Sequence, residues 1–170
     1  MKKILILAIL ISFLGSNIFA QSGKCVQRVW IEDDDPKGTN IRNAPSIKGK
    51  IIDVIPPATD DEPEGSIDVV AYSNGWLKTV WTETVKGKDV NKFGWIFAKK
   101  VGFAIEVKSG GPASLYSSPS RSSKKIASVP ETASFTIIGI SCFGFKISYK
   151  GKIGWLWEGD TCGNPLTTCA

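Results

Sequence analysis

The sequence predicts an all-β protein made of two tandem repeats. Short segments rich in β-branched and aromatic residues alternate with glycine, proline and polar residues. After the first twenty residues, no segment carries apolar residues at helical spacing. Three segments also recur in the same order, which indicates two β units of about 65 to 80 residues each.

The offset between the recurring segments falls along the chain from 74 to 69 and then to 60 residues. The aligned pairs are 40–46 with 114–120, 74–76 with 143–145, and 94–96 with 154–156. Each fall marks residues present only in the first repeat. Because these insertions are polar and contain Gly or Pro, we predict that residues 56–65 and 84–92 project as loops.

The strand predictions come from local pattern and turn signals. Lys150-Gly151 predicts a tight hairpin turn. Alternation places Trp155 and Trp157 on one strand face, with Leu156 on the other. Because Trp95 and Trp155 match in both repeats, we expect both to be core residues. The predicted strands are 69–71, 76–82, 94–98, 135–140, 145–149 and 154–157.

Residues 1–20 have the composition of a secretory signal peptide. Lys2 and Lys3 precede an apolar run over 4–14, and Ala20 offers a cleavage site. The run is shorter than the roughly 20 apolar residues that span a bilayer, so we expect no membrane span after cleavage. The protein is predicted to be exported, either periplasmic or secreted. Without this leader, 19 basic and 16 acidic residues leave a charge of +3, too low to predict nucleic-acid binding.

The chain contains no histidine, which excludes every mechanism that uses imidazole as a base or a metal ligand. We predict no enzyme activity, no cofactor and no metal site. The acidic run 32–35 lacks the alternating calcium-loop pattern and is expected to be a solvated loop. The acids of 60–64 leave one alternative, a secreted hydrolase that acts on a polysaccharide with carboxylates only.

Four cysteines in an exported chain predict at least one disulfide. Three pairings of the four are possible, and a complete set would connect the two repeats, because Cys25 begins the first and the others lie in the second. We favour Cys162 with Cys169, which are separated by a short segment containing Gly and Pro. Cys142 could instead pair with either of these two.

The order of Asn40-Ile41-Arg42, Pro45, Gly75-Trp76 and Gly94-Trp95-Ile96 resembles a bacterial SH3-like (SH3b) domain. The resemblance covers 25–102 and 103–170, and the second copy is more diverged. It implies two tandem SH3-like small five-stranded barrels. It further implies a noncatalytic exported binding module of the cell envelope, with a peptide, a protein or peptidoglycan as its ligand.

In the resembled family, the position of Trp76 lines a shallow peptide groove, and a partly exposed aromatic there suits ligand recognition. We therefore predict Trp76, Tyr72 and Arg42 as ligand-binding residues. Two of them differ from their aligned residues in the second repeat, which are Phe145 for Trp76 and Tyr116 for Arg42. We expect the first repeat to keep the binding function.

Overall fold

The all-β prediction is confirmed. The structure, a computed structural model, describes residues 25–57, 65–107 and 110–163. In these ranges the chain forms fourteen strands and two 3-10 turns, Ala98–Lys100 and Glu158–Asp160, without any α-helix. The predicted signal peptide lies outside the described residues.

The strands follow one another through short turns. In chain order they are β1 Gln27–Ile31, β2 Thr39–Arg42, β3 Ile51–Ile55, β4 Ser66–Ser73, β5 Trp76–Val85, β6 Lys88–Phe97, β7 Val101–Gly102, β8 Ala104–Ile105, β9 Ala113–Tyr116, β10 Lys125–Val129, β11 Thr136–Ser141, β12 Gly144–Tyr149, β13 Lys152–Trp157 and β14 Thr161–Cys162. All six predicted strand segments overlap strands, and 94–98 and 135–140 each extend one residue beyond the strand. Eight strands were missed, namely β1, β2, β3, β7, β8, β9, β10 and β14.

Two antiparallel sheets share the same internal order. The second sheet has five strands in the order β10-β9-β13-β12-β11, which matches β3-β2-β6-β5-β4 in the first sheet. The first sheet has seven strands rather than the expected five, because β1 pairs with β4 and β7 then pairs with β1. The small strands β8 and β14 pair with each other.

Strand pairing corrects the alignment of the repeats by one residue. In the first sheet the turn Asn74-Gly75 connects β4 to β5, and Trp76 is the first residue of β5. In the second sheet the equivalent turn precedes Gly144. Trp76 therefore corresponds to Gly144 rather than to Phe145, and the aromatic residue is a feature of the first repeat alone.

The expectation that Trp95 and Trp155 are core residues is wrong. Both are half-buried, whereas the neighbouring Ile96 and Leu156 are fully buried. The alternation was correct, but the opposite face points inward. The inner face is crowded, since a Cβ at Gly154 would lie 2.6 Å from a carbonyl oxygen of β9. Strands packed this closely accommodate aliphatic side chains rather than indoles.

The first predicted loop lies mostly outside the described residues, since 58–64 are not included. The second, 84–92, is wrong, because β5 and β6 continue as a long hairpin that turns at Lys86-Gly87, with φ values of 51° and 73°. Threonine and valine in this segment favour extended backbone. The predicted turn at Lys150-Gly151 is confirmed, with φ values of 46° and 76°.

Covalent and apolar contacts join the two sheets. A disulfide links Cys25, before β1, to Cys142 in the turn between β11 and β12. Beside it, Gln27 Nε2 donates to the Ser141 carbonyl oxygen at 3.2 Å. The buried side chains of both sheets form one hydrophobic cluster. Within it, Phe103 stacks on Phe145, with ring centroids 4.2 Å apart.

The Cys25–Cys142 pairing confirms that a disulfide connects the repeats and excludes the alternatives in which Cys142 pairs with Cys162 or Cys169. Cys162 is also disulfide-bonded. Its favoured partner, Cys169, lies outside the described residues. Such bonds are typical of proteins that function in oxidising compartments.

Candidate functional site

A groove of about 170 Å³ lies on the first sheet at the ends of β2, β5 and β6. It brings together two of the three predicted ligand-binding residues, Arg42 and Trp76. Apolar and charged side chains share its walls. The lining residues are Asp33, Asp35, Thr39, Asn40, Arg42, Ile47, Trp76, Phe97 and Lys100.

Trp76 forms the inner wall of the groove. The Asn74-Gly75 turn, with φ values of 48° and 86°, fixes its position at the start of β5. Its ring lies 5.3 Å from that of Phe97, its cross-strand partner. Trp76 is only 7% exposed, so the partial exposure expected from the sequence is wrong. Its partner Phe97 lies 21 residues further along the chain, so this contact cannot be read from the sequence around Trp76.

The Trp76 indole N–H has no hydrogen-bond acceptor among the described residues. No fully enclosed side-chain nitrogen or oxygen in the same ranges lacks a partner. The N–H therefore retains some access to solvent. Trp76 lines the groove with the small part of its surface that is exposed.

Arg42 supplies a positive charge at the same groove. It is the last residue of β2, and its Nη1 donates to the Gly49 carbonyl oxygen at 2.8 Å. This bond fixes the guanidinium but uses only one of its five N–H groups. Within the described ranges Arg42 forms no ion pair, so the remaining donors can bind an anionic group.

Asp33 and Lys100 form an internal ion pair at the edge of the groove. Lys100 Nζ lies 2.5 Å from Asp33 Oδ1, and Thr39 Oγ1 donates to Oδ2 at 2.8 Å. Burial alone would raise the pKa of Asp33. The donors Lys100, Thr39 and the Asp35 backbone N–H outweigh this effect and hold the pKa below its ordinary value.

The Asp33 side chain is only 5% exposed, so the prediction of a solvated acidic loop is wrong at this position. Lys100 follows the first repeat's last long strand and is remote in sequence, which is why the pair could not be read from the acidic run. Glu32, also in this run, accepts a hydrogen bond from Trp30 Nε1 at 2.8 Å. These two acids therefore have structural partners within the protein.

Tyr72, the third predicted residue, is not part of the groove. It lies on β4 opposite Leu77 and packs against the hydrophobic cluster. Sequence reasoning missed Phe97 and Ile47, which are 36% and 77% exposed. Alternation along β6 places Phe97 on the same face as Trp95, so this residue could have been found from its spacing.

A larger cleft of about 400 Å³ lies where the two sheets meet. Glu32, Lys99 and Phe103 line one wall, and residues 133–137 line the other. In the described ranges there is no group of three or more potential metal ligands. None of the described helices is long and apolar enough to cross a membrane.

No protein-family model and no curated protein matches the chain. Among solved structures, it is similar to NlpC2 and NlpC1 from Trichomonas vaginalis, with sequence identities of 16% and 18% and TM-scores of 0.34 and 0.32. The matches cover 85% and 84% of this chain, but 51% and 47% of those two chains. The chain therefore spans about half the length of each protein, and the scores are too low to indicate a shared function.

Proposed function

We propose that the protein is a noncatalytic, exported binding module that recognises a peptide, either free, within a protein or as part of peptidoglycan. The observation that carries this proposal is the composition of the first-sheet groove. Exposed apolar side chains at Phe97 and Ile47 adjoin a guanidinium, that of Arg42, without an ion-pair partner in the described ranges. A peptide offers the matching groups, namely apolar side chains beside carboxylates and amide carbonyls.

The size of the groove supports a chain-like ligand rather than an enclosed small molecule. Pockets that bury drug-sized ligands measure about 300–1,000 Å³. The groove measures about 170 Å³ and fits one part of a longer ligand. The Trp76 N–H can donate a hydrogen bond to a peptide carbonyl oxygen, and Arg42 can bind a carboxylate. The SH3b-like motif order adds independent support, because that resemblance implies peptide or cell-wall binding.

The groove offers poor conditions for acid–base catalysis. Three donors hold Asp33 in its ionised form, so at neutral pH it is a weak candidate for a general acid. The chain also lacks histidine. The acids of 60–64, on which the hydrolase alternative depends, lie mostly outside the described residues. A binding role uses the groups that the groove does contain.

Export is part of the proposal. The leader-like composition of residues 1–20 supports it, and so does the disulfide between Cys25 and Cys142. A disulfide that joins distant parts of a chain is typical of proteins that function outside the reducing cytosol. The ligand would then be met in the envelope or outside the cell.

Co-sedimentation with purified peptidoglycan tests this function. Phe97→Ala should reduce the bound fraction, with the dissociation constant rising about tenfold as expected for an aromatic contact worth about 1.4 kcal/mol. Phe93→Ala is the matched control, because Phe93 is a second exposed phenylalanine on β6 that does not line the groove. Equal binding by the wild type and Phe97→Ala, or equal loss in both variants, would contradict the proposed site.

A further inference from the structure

The outer face of the second sheet carries a row of cationic and aromatic side chains. Strand pairing places Lys125, Tyr116, Trp155 and Lys146 side by side on β10, β9, β13 and β12. Directly paired residues project from the same face of a sheet. Trp157 lies two residues beyond Trp155 and shares that face. We call these residues, together with Arg121, the cationic row.

Each cation of this row lies over an aromatic ring. Arg121 Cζ is 4.1 Å from the centroid of the Trp157 ring. Lys146 Nζ lies 6.0 Å from the ring of Trp155, and Lys125 Nζ lies 6.0 Å from that of Tyr116. Such contacts orient the cations without neutralising them.

The charges of the row are not balanced by ion pairs. Within the described ranges, none of the three cations forms a salt bridge with a carboxylate. Asp160 is close enough for Arg121 and Lys125 to lower its pKa, but burial has the larger effect and raises that pKa overall. The row therefore presents three cations beside one carboxylate, which leaves a local excess of positive charge.

The first sheet has a similar arrangement. Arg42, Trp95 and Lys78 are paired across β2, β6 and β5 in the places of Tyr116, Trp155 and Lys146. The matched tryptophan of both repeats thus lies on the outer face beside a lysine. A core role does not account for this recurrence.

We propose that the cationic row binds an acidic polysaccharide. The charge complementarity is direct, since unpaired cations attract a polyanion. The half-buried indoles of Trp155 and Trp157 also offer apolar surface for the faces of sugar rings. This surface is separate from the groove and needs no peptide.

The spacing of the charges favours a polysaccharide over nucleic acid. Three strand spacings of about 4.8 Å separate Lys125 from Lys146, so the row spans about 14 Å. Duplex DNA carries one charge for every 1.7 Å or so of its axis, far more than three cations could match over that length. Single-stranded DNA, which binds by stacking its bases on aromatic rings, is the nucleic acid that the binding test must exclude.

Binding to polygalacturonate, with one carboxylate for each sugar, tests the inference. Fully methyl-esterified polygalacturonate is the matched probe, because it has the same backbone without the charge. The full-length exported protein should bind the acid form, with affinity falling as salt rises from 50 to 200 mM, about the range over which Debye screening becomes strong. No binding to the acid form, or equal binding to the ester, would overturn the inference.

Paired lysine substitutions locate the site. Lys125→Gln with Lys146→Gln should weaken binding about tenfold, because two of three direct charge contacts are lost. Lys86→Gln with Lys88→Gln is the control, since it removes equal charge from the exposed hairpin turn of the first sheet and should change affinity less than about twofold. Equal weakening by both pairs would show general charge attraction and refute the row as the site.

Two further arms complete the test. Single-stranded DNA and polyglutamate should bind more weakly than polygalacturonate. Tighter binding of either one would show that the row binds that class of polyanion and not an acidic polysaccharide. Arg121→Gln should also weaken binding while leaving thermal unfolding unchanged, because the side chain is exposed. Peptidoglycan co-sedimentation of the Lys125/Lys146 variant should persist if the groove acts separately, so the two proposals can fail independently.

Discussion

Removal of the Cys25–Cys142 disulfide should be among the most destabilising changes in this protein. The two cysteines are 117 residues apart in the sequence. A cross-link that closes a loop of this length lowers the entropy of the unfolded chain by about 16 cal/mol/K, or about 5 kcal/mol at 25 °C. We therefore expect the double variant Cys25→Ser, Cys142→Ser to lose about 3 to 5 kcal/mol of unfolding free energy.

Urea unfolding followed by far-ultraviolet circular dichroism measures this loss. With a slope of about 2 kcal/mol/M, the midpoint should fall by about 2 M. Protease digestion of the unreduced wild type should also release one linked peptide pair that contains Cys25 and Cys142. A loss under about 1 kcal/mol, or a linked peptide in which Cys25 or Cys142 is bonded to a different cysteine, would refute the reasoning.

Three further predictions concern the core, the close packing of β13 against β9, and the internal ion pair. Leu156→Ala should lower the unfolding free energy by about 2–5 kcal/mol, and Trp155→Ala by only about 1 kcal/mol, because the leucine is fully buried and the indole lies on the outer face. A larger loss for Trp155→Ala in urea unfolding would show that the tryptophan face points inward. Gly154→Ala should cost about 1–3 kcal/mol, since its Cβ would meet a backbone oxygen at 2.6 Å, whereas Gly65→Ala, in open space, should be neutral by thermal unfolding. The lowered pKa of Asp33 means that its stabilising effect is present above its unfolded pKa and disappears as pH falls through the folded value. Asp33→Asn should therefore lower the unfolding free energy at pH 7 and make it fall less steeply below about pH 4. Urea titrations in which the variant and the wild type lose stability equally at acid pH would contradict this.

Local sequence signals predicted the all-β class and the tight turn at Lys150-Gly151, but not the one at Lys86-Gly87. The Lys150-Gly151 turn could be predicted because the need for positive φ at both positions is a local property. The alternation along β6 and β13 was also correct. These features depend on residues that are neighbours in the chain.

Which face pointed inward could not be read from the same pattern. Alternation is equally consistent with either face, and the size of tryptophan favoured the wrong one. Which face of β13 points inward depends on the close approach of β9 to Gly154, a contact between residues about 40 apart in the sequence. Aliphatic residues such as Leu156 fit that space.

Two of the nine lining residues of the candidate site, Trp76 and Arg42, were predicted from the sequence. The turn before Trp76 identified its position, and the motif order identified Arg42. Ile47 and the pair of Asp33 with Lys100 join them only through folding, because the ion pair connects residues 67 apart in the chain. Tyr72 was misplaced since its face depends on a register shift between β4 and β5.

An NMR titration with soluble peptidoglycan fragments tests the central claim, peptide recognition at the first-sheet groove, most directly. The Trp76 indole N–H belongs to a side chain that lines the groove and so reports on ligand binding there, and the Trp155 indole on the second sheet is its control. Binding should shift the Trp76 indole and Arg42 side-chain signals in a saturable way, leave Trp155 unchanged, and be lost in Arg42→Gln. Saturable shifts confined to Trp155, or no shift at Trp76, would contradict the account.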